Sequence, residues 1–268
     1  MTMSSSTSRT FGLRQRVLDN AAARTVLSLW AWLVMGTLVV LWLPLMALVR
    51  IVTAPFDRGR YWTGYLFRKL PVIHQRLNPL WSFSTSGVIP QDPRRPYVVV
   101  SNHESFVDIL LICHLPFEMK WLSKVENFKI PVMGWLMTLA GDVRLTRGEV
   151  TSAADAMKEC ADRLQKKVSV IIFPEGTRSK TGELGKFKNG AFRLAIESGV
   201  DILPIAVSGC RSALRPHDWR FGVSRAKVRV LAPIPVAGLT IEDVYALRDQ
   251  AREVIEAEVK ILRAELAG

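Results

Sequence analysis

The run VSVIIFPEGTRS, residues 168–179, decides how this chain is read. Val168, Val170, Ile171 and Ile172 describe a strand buried on both faces, and Pro174 and Gly176 end it at once in a turn. Strands of that kind belong to parallel sheets covered by helices on both sides. Outward from it, short apolar runs at 97–100, 119–122, 143–146, 202–208 and 227–231 alternate with helical patterns, the signature of βαβ units. Ala153, Met157, Cys160 and Leu164 fall at helical spacing, as do Val244, Leu247, Ala251, Val254 and Val259, and both sets predict core-facing stripes. The expected fold is α/β, a mixed, largely parallel sheet flanked by helices.

Upstream, Thr25 to Val49 carries no charged residue over 25 positions. At 1.5 Å per residue a helix of that length reaches about 37 Å, enough to cross a hydrocarbon core of about 30 Å. A cleaved signal peptide has a shorter apolar region and a small-residue cleavage site, and neither fits. Pro44 removes a backbone donor near the far end, so a re-entrant hairpin stands beside a straight span. Arg9, Arg14, Arg16 and Arg24 precede the stretch; Arg50, Arg58, Arg60, Arg68, Lys69 and Arg76 follow it, which favours a cytoplasmic C-terminal side. Tyr61, Trp62, Tyr65, Phe67, Trp81 and Phe83 interleave with those charges, as in a segment at headgroup level or in ordinary packing beneath a solvated basic face. The organisation expected is a basic, partly disordered N-terminus over 1–24, a membrane-anchoring helical region over 25–84 and a catalytic domain over 85–268, with QDPRRP at 91–96 as the turn before the first strand.

Composition narrows the function classes. In 268 residues, 49% apolar and 22% charged, 36 Lys and Arg stand against 24 Asp and Glu, for a net charge of +12. That chain can bury a full core and is not disordered as a whole. Its basic excess suits anionic partners, but no helix-turn-helix, zinc-finger or RNA-binding signature points to nucleic acid. The three cysteines, Cys113, Cys160 and Cys210, are too far apart and too few for a disulfide framework or a zinc site.

After the strand at 97–100 comes SNHESFVD, residues 101–108, with His103 five positions before Asp108. On one helix the two would point about 140° apart, so they meet only if His103 sits in a loop. Ser105 with Asp108 three residues on fits a capping box, which places His103 just outside the helix start. Asp108 then reads either as a capping residue or as the orienting partner of a general base. His103-Glu104 lacks the second His of a zinc protease, and neither a G-x-S-x-G elbow nor a Walker A loop occurs. A His/Asp pair without a protein nucleophile suits direct proton removal from a substrate hydroxyl. Downstream, Arg178 at a sheet edge suits an oxyanion, and GDVRLTR at 141–147 adds Arg144, on the face opposite Leu145, and Arg147 at a strand exit.

NHESFVD (102–108), GDVRLTR (141–147), FPEGTRS (173–179) and ILPI (202–205), in that order, resemble the blocks of the 1-acyl-sn-glycerol-3-phosphate acyltransferases. The spacer 120–135, with Lys124, Pro131, Gly134 and Trp135, is similar too. The resemblance implies the glycerolipid acyltransferase fold with a membrane-associated helical N-terminus. It makes His103 the base and Asp108 its charge partner, and assigns Arg147, Glu175, Gly176, Thr177 and Arg178 to the acceptor-phosphate site together with Lys124. Pro204 falls in its last block, in a structural or donor-site role, and Arg144 departs from an apolar or aromatic position. The implied reaction moves an acyl group from acyl-CoA or acyl carrier protein to the sn-2 hydroxyl of lysophosphatidate, at the membrane on the cytoplasmic face, with no metal or cofactor. Another lyso-lipid acceptor is the alternative, and a non-catalytic membrane-binding protein a remoter one.

Overall fold

A computed structural model describes residues 20–268 apart from 147, 180, 216 and 217. The N-terminal stretch before residue 20 therefore lies outside the described residues. In chain order the helices are α1 (Ala21–Thr53), α2 (Tyr61–Leu77), α3 (Val107–Ile112), α4 (Met133–Ala140), α5 (Val150–Gln165), α6 (Gly190–Ser198) and α7 (Val244–Ala267). The strands are β1 (Trp81–Gly87), β2 (Val98–Ser101), β3 (Met119–Lys124), β4 (Val143–Leu145), β5 (Ser169–Ile172), β6 (Ile202–Ser208) and β7 (Ser224–Val230).

All seven strands form one sheet in the order β1-β7-β6-β2-β5-β3-β4. The block β6-β2-β5-β3-β4 is parallel, β7 is antiparallel to β6, and β1 runs parallel to β7. The expected mixed, largely parallel sheet is what forms. Every residue of β2, β5 and β6 is buried, as their apolar runs require of central strands. From β2 the chain crosses to β3 on one side, and from β5 to β6 on the other. The crevice at the C-terminal ends of these strands is a topological switch point, where ligands bind in open α/β sheets.

Two cores line the sheet. Val99, Leu111, Trp121, Ile171 and Leu203 pack on the α3 face, and Val98, Val170, Phe192, Ala206 and Ile255 on the face covered by α5, α6 and α7. The predicted stripes shift slightly: Ala156 replaces Ala153 in α5, and Ile255 with Leu262 replaces Val254 in α7.

The first strand, β1, was absent from the sequence reading, which assigned Trp81 and Phe83 to the membrane interface or to packing. Trp81 is 3% exposed and sits edge-on to Phe221 and His74. WSFSTSG lacks a β-branched apolar run because β1 is an edge strand with mostly exposed positions, held by a seven-residue register against β7.

The apolar N-terminal segment is one helix of 33 residues that passes through Pro44 without a break. The carbonyl left bare by Pro44 belongs to Val40, which is exposed, so no buried acceptor is orphaned. One face of α1 is docked. Arg24 pairs with Asp218 at 2.6 Å, Trp32 stacks on Phe221, the indoles of Trp30 and Trp42 donate to the carbonyls of Leu77 and Leu66, and His74 bonds the carbonyl of Ala31. Further along, Met46 packs with Phe67, Leu70 and Leu136 between α1, α2 and α4. Asp57 accepts from the first two amides of α2 and starts that helix.

Candidate active site

The site starts from Asn102. Its side chain bonds Val207 of β6 through both amide and carbonyl, each at 2.9 Å, and so extends the β2–β6 pairing past the end of β2. That bridge turns His103 out of the sheet. The His103 amide donates to Glu175 Oε1 at 2.8 Å, and its carbonyl accepts from Ser179 at 2.8 Å, so the loop after β2 is tied to the loop after β5. The imidazole stacks on Phe173, with centroids 3.9 Å apart and planes within 10°. The ring is fixed in place before any substrate arrives.

Asp108 lies in the first turn of α3 and is wholly buried. Its Oδ2 is 2.8 Å from His103 Nδ1 and also accepts from the amides of Glu104 and Ser105. This meets the expectation that His103 stands outside the helix, though only half of a capping box forms: Ser105 Oγ accepts from Val107 instead of Asp108. With Nδ1 bonded to the Asp108 carboxylate, Nε2 is the ring nitrogen left without a partner among the described residues, in a side chain 13% exposed. The arrangement can take a proton at Nε2 and stabilise the resulting cation at Nδ1.

Glu175 spends both oxygens on backbone amides, those of His103 and Gly185. Burial raises its pKa while those two hydrogen bonds oppose the rise. Its observed contacts hold the two loops together. Gly176 has φ +70, and a Cβ there would meet the Lys188 ammonium at 2.9 Å. The turn therefore needs glycine, and Lys188 is drawn over it. Thr177 and Arg178 are exposed in a cleft of about 400 Å³ shared with Glu175, Ser179, Leu184 and Lys186. Arg178 makes no hydrogen bond or ion pair with any described residue. Lys124 is exposed at the exit of β3, outside that lining, and Arg147 lies outside the described residues. Arg144 is exposed over the ring of Phe128 and bonded to Thr138, so it faces solvent.

A second cleft of about 360 Å³ opens on the β6 side, lined by Glu104, Ser208, Gly209, Arg211 and Arg263 among others. Burial, and after it the charge of Asp108, pushes the Glu104 carboxyl up to about 7 against the pull of Arg263 and Arg211. Sequence reasoning gave no role to Asn102, Phe173, Glu104 or Lys188. All four sit in or beside the quoted blocks, but their contacts depend on which strands are neighbours.

A His/Asp pair at a parallel-sheet switch point, tied through Glu175 and Ser179 to the lining of a cleft that holds Arg178, marks an acyltransferase-type α/β domain, and the acyltransferase family model matches residues 83–208. A human 1-acyl-sn-glycerol-3-phosphate acyltransferase alpha is 36% identical over 197 residues, 73% of this chain and 70% of the relative. A chloroplastic 1-acyl-sn-glycerol-3-phosphate acyltransferase of Brassica napus is 39% identical over 167 residues, 62% of this chain and 47% of the relative. The crystal structure of the 1-acyl-sn-glycerophosphate (LPA) acyltransferase PlsC from Thermotoga maritima superposes with a TM-score of 0.76 at 25% identity, over 90% of this chain and 96% of that one. The chain belongs to the 1-acyl-sn-glycerol-3-phosphate acyltransferase family. It spans less than half the length of the plant and algal relatives it matches, at 47%, 40% and 43%.

Proposed function

We propose that this protein transfers a fatty acyl group from a thioester to the sn-2 hydroxyl of lysophosphatidate, giving phosphatidate. The observation that carries the reading is the 2.8 Å contact of His103 Nδ1 with buried Asp108, which leaves Nε2 as the only imidazole nitrogen open to a substrate. Nε2 takes the hydroxyl proton as the oxygen attacks the thioester carbonyl. The carbonyl π pair moves onto its oxygen, then re-forms the double bond and expels the thiolate, which takes the proton back from His103. Both substrates are bound together and no acyl-enzyme forms. Arg178 binds the acceptor phosphate, with Thr177 beside it, Gly176 shaping the turn and Glu175 holding it; Arg147 and Lys124 are the further cations that the resemblance of the sequence blocks assigns to that phosphate. The donor is acyl-CoA or acyl carrier protein.

The protein works at a membrane, with its catalytic domain on the cytoplasmic face. What supports this is α1, long and apolar enough to cross a bilayer, with Val40, Leu41, Leu48, Ile51 and Val52 exposed on one side. Because its other side is docked on α2, α4 and the 219–221 segment, contact by an embedded face suits the geometry better than a free-standing span.

The test offers the purified protein an acyl-CoA and an acyl carrier protein thioester, each with lysophosphatidate, lysophosphatidylcholine and lysophosphatidylethanolamine. Product from lysophosphatidate alone is expected. Product chiefly from a lysophospholipid with a larger headgroup contradicts the acceptor, and no product with any pair contradicts the activity.

A further inference from the structure

The loop between β5 and α6 supplies part of the wall of the cleft that holds Arg178, through Leu184, Gly185 and Lys186. Residues 184–188 belong to no helix or strand. The carbonyls of Gly182, Leu184 and Gly185 accept from no backbone donor among the described residues, so the loop does not fix its own main chain there. Helix α7 supplies the donors instead. Arg263 bonds the Gly182 carbonyl and pairs with Glu183 at 3.1 Å. Arg252 donates to the carbonyls of Gly185 at 3.3 Å and Leu184 at 3.4 Å, and Arg248 to Asn189, just before α6, at 3.0 Å. The loop therefore runs antiparallel along the helix. Arg252 and Arg263 are eleven positions apart in sequence, which at about 100° per residue sets them within about 20° of each other around the axis. Ile255, Val259 and Leu262 seat the same helix in the core, so the arginines project from a fixed support.

Arg252 has the most direct line to the catalytic pair. Its guanidinium is steadied by Glu256, one turn further along α7, at 3.1 Å. The Leu184 carbonyl that it bonds belongs to the same peptide group as the Gly185 N–H, and that N–H donates to Glu175 Oε2 at 2.9 Å. One peptide plane is thus held at its oxygen by α7 and at its nitrogen by Glu175. The approach is close: a Cβ on Gly185 would lie 3.0 Å from Glu175 Oε2. The other oxygen of Glu175 accepts from the His103 amide at 2.8 Å. An unbroken line of hydrogen bonds therefore leads from α7 to the main chain of the imidazole-bearing residue.

We infer that Arg252 is a positioning residue for the reaction: it fixes the Leu184–Gly185 peptide, and through Glu175 that peptide keeps His103 in register with the cleft of Arg178. The inference rests on reading His103 as the base and that cleft as the acceptor site. Arg252 touches no substrate and takes part in no chemical step. Without it the loop keeps its ends, at Ser179 and in the buried ring of Phe187, but loses the support of the wall between them. Small misplacements of groups that orient a base or a substrate are enough to slow a direct transfer.

The test compares Arg252→Ala with Arg229→Ala in the full chain, with acyl-CoA and lysophosphatidate as substrates. Arg229 of β7 pairs with Glu258 and Glu265 of α7, so its loss loosens the seat of the helix without touching the loop. Arg252→Ala is expected to lower kcat and raise the KM for lysophosphatidate, with the KM for acyl-CoA unchanged. Their ratio falls about tenfold, the scale of one hydrogen bond to a charged group. Arg229→Ala is expected to lower the melting temperature and leave all three constants at wild-type values. Wild-type constants in Arg252→Ala, or the same changes in Arg229→Ala, overturn the inference. A second readout, hydrogen exchange followed by mass spectrometry, needs no substrate. The segment 184–188 is expected to exchange about tenfold faster in Arg252→Ala than in the wild type, with β6 unchanged. Equal exchange of that segment in the two proteins also overturns the inference. If the wild type transfers nothing to lysophosphatidate, the functional reading fails and the exchange result alone decides this one.

Discussion

His103 is useful because its neighbours leave it one task. Phe173 fixes the ring plane, Asp108 takes Nδ1, and the main chain on either side is tied to Glu175 and Ser179. The capping logic of Ser105 and Asp108 makes His103 a loop residue from sequence alone. The loss of both Glu175 oxygens to backbone amides is not legible there, since it needs β2 and β5 to be neighbours, a long-range fact. Arg178, without a partner among the described residues, is the clearest cation for the acceptor phosphate. Arg178→Ala is expected to raise the KM for lysophosphatidate about 10- to 100-fold, with the KM for the donor unchanged, as steady-state kinetics with each substrate varied will show. Glu104 makes a prediction about pH. Its carboxyl, at about 7 when folded against an ordinary 4.5, holds a proton in the native state that the unfolded chain releases across that window. Stability therefore falls as pH rises from about 4.5 to 7, by up to about 3 kcal/mol. Glu104→Gln is expected to melt close to wild type at pH 4.5 and above it at pH 8; an equal gap at both contradicts the assignment.

Among the elements, α2 joins the helical N-terminus to the sheet, and it does so through buried charge. Arg68 of α2 meets Asp142 and, at 3.4 Å, Glu118; Lys120 meets Glu118 at 2.8 Å, and its ammonium also donates to the Arg60 carbonyl. Two cations and two carboxylates balance with almost no water. Gly64 permits it, since a Cβ there would lie 1.9 Å from a Glu118 oxygen. Breaking one partner leaves a buried charge unpaired, so Asp142→Asn is expected to cost about 3–5 kcal/mol in denaturant unfolding. A loss under about 1 kcal/mol contradicts the network's role. At this scale the central strands were legible because β2, β5 and β6 are buried on both faces and read as unbroken apolar runs. The edge strand β1 was not, because its exposed positions carry Ser and Thr. Its pairing with β7, more than 130 residues away, is a tertiary contact that local pattern does not encode.

At the scale of the molecule, the same chain carries a net charge of +12 and a helix with one docked and one exposed apolar side. Both features suit an anionic membrane surface, which also holds a lipid acceptor at high local concentration. Leu41→Lys with Leu48→Lys places two charges on exposed positions of α1 without touching the docked face. The pair is expected to weaken binding to vesicles containing anionic lipid in a flotation assay, with the melting temperature kept; unchanged flotation contradicts membrane contact through this face. The central claim is that a single fixed imidazole removes the acceptor's proton in a direct transfer. It is tested most directly by radiolabelled acyl transfer from acyl-CoA to lysophosphatidate with purified wild type and His103→Ala. The account predicts a loss of about 10²–10⁴-fold in kcat with the fold intact and no labelled protein in either sample. Near-normal turnover in the variant, or radiolabel held covalently on the wild-type chain, would contradict it.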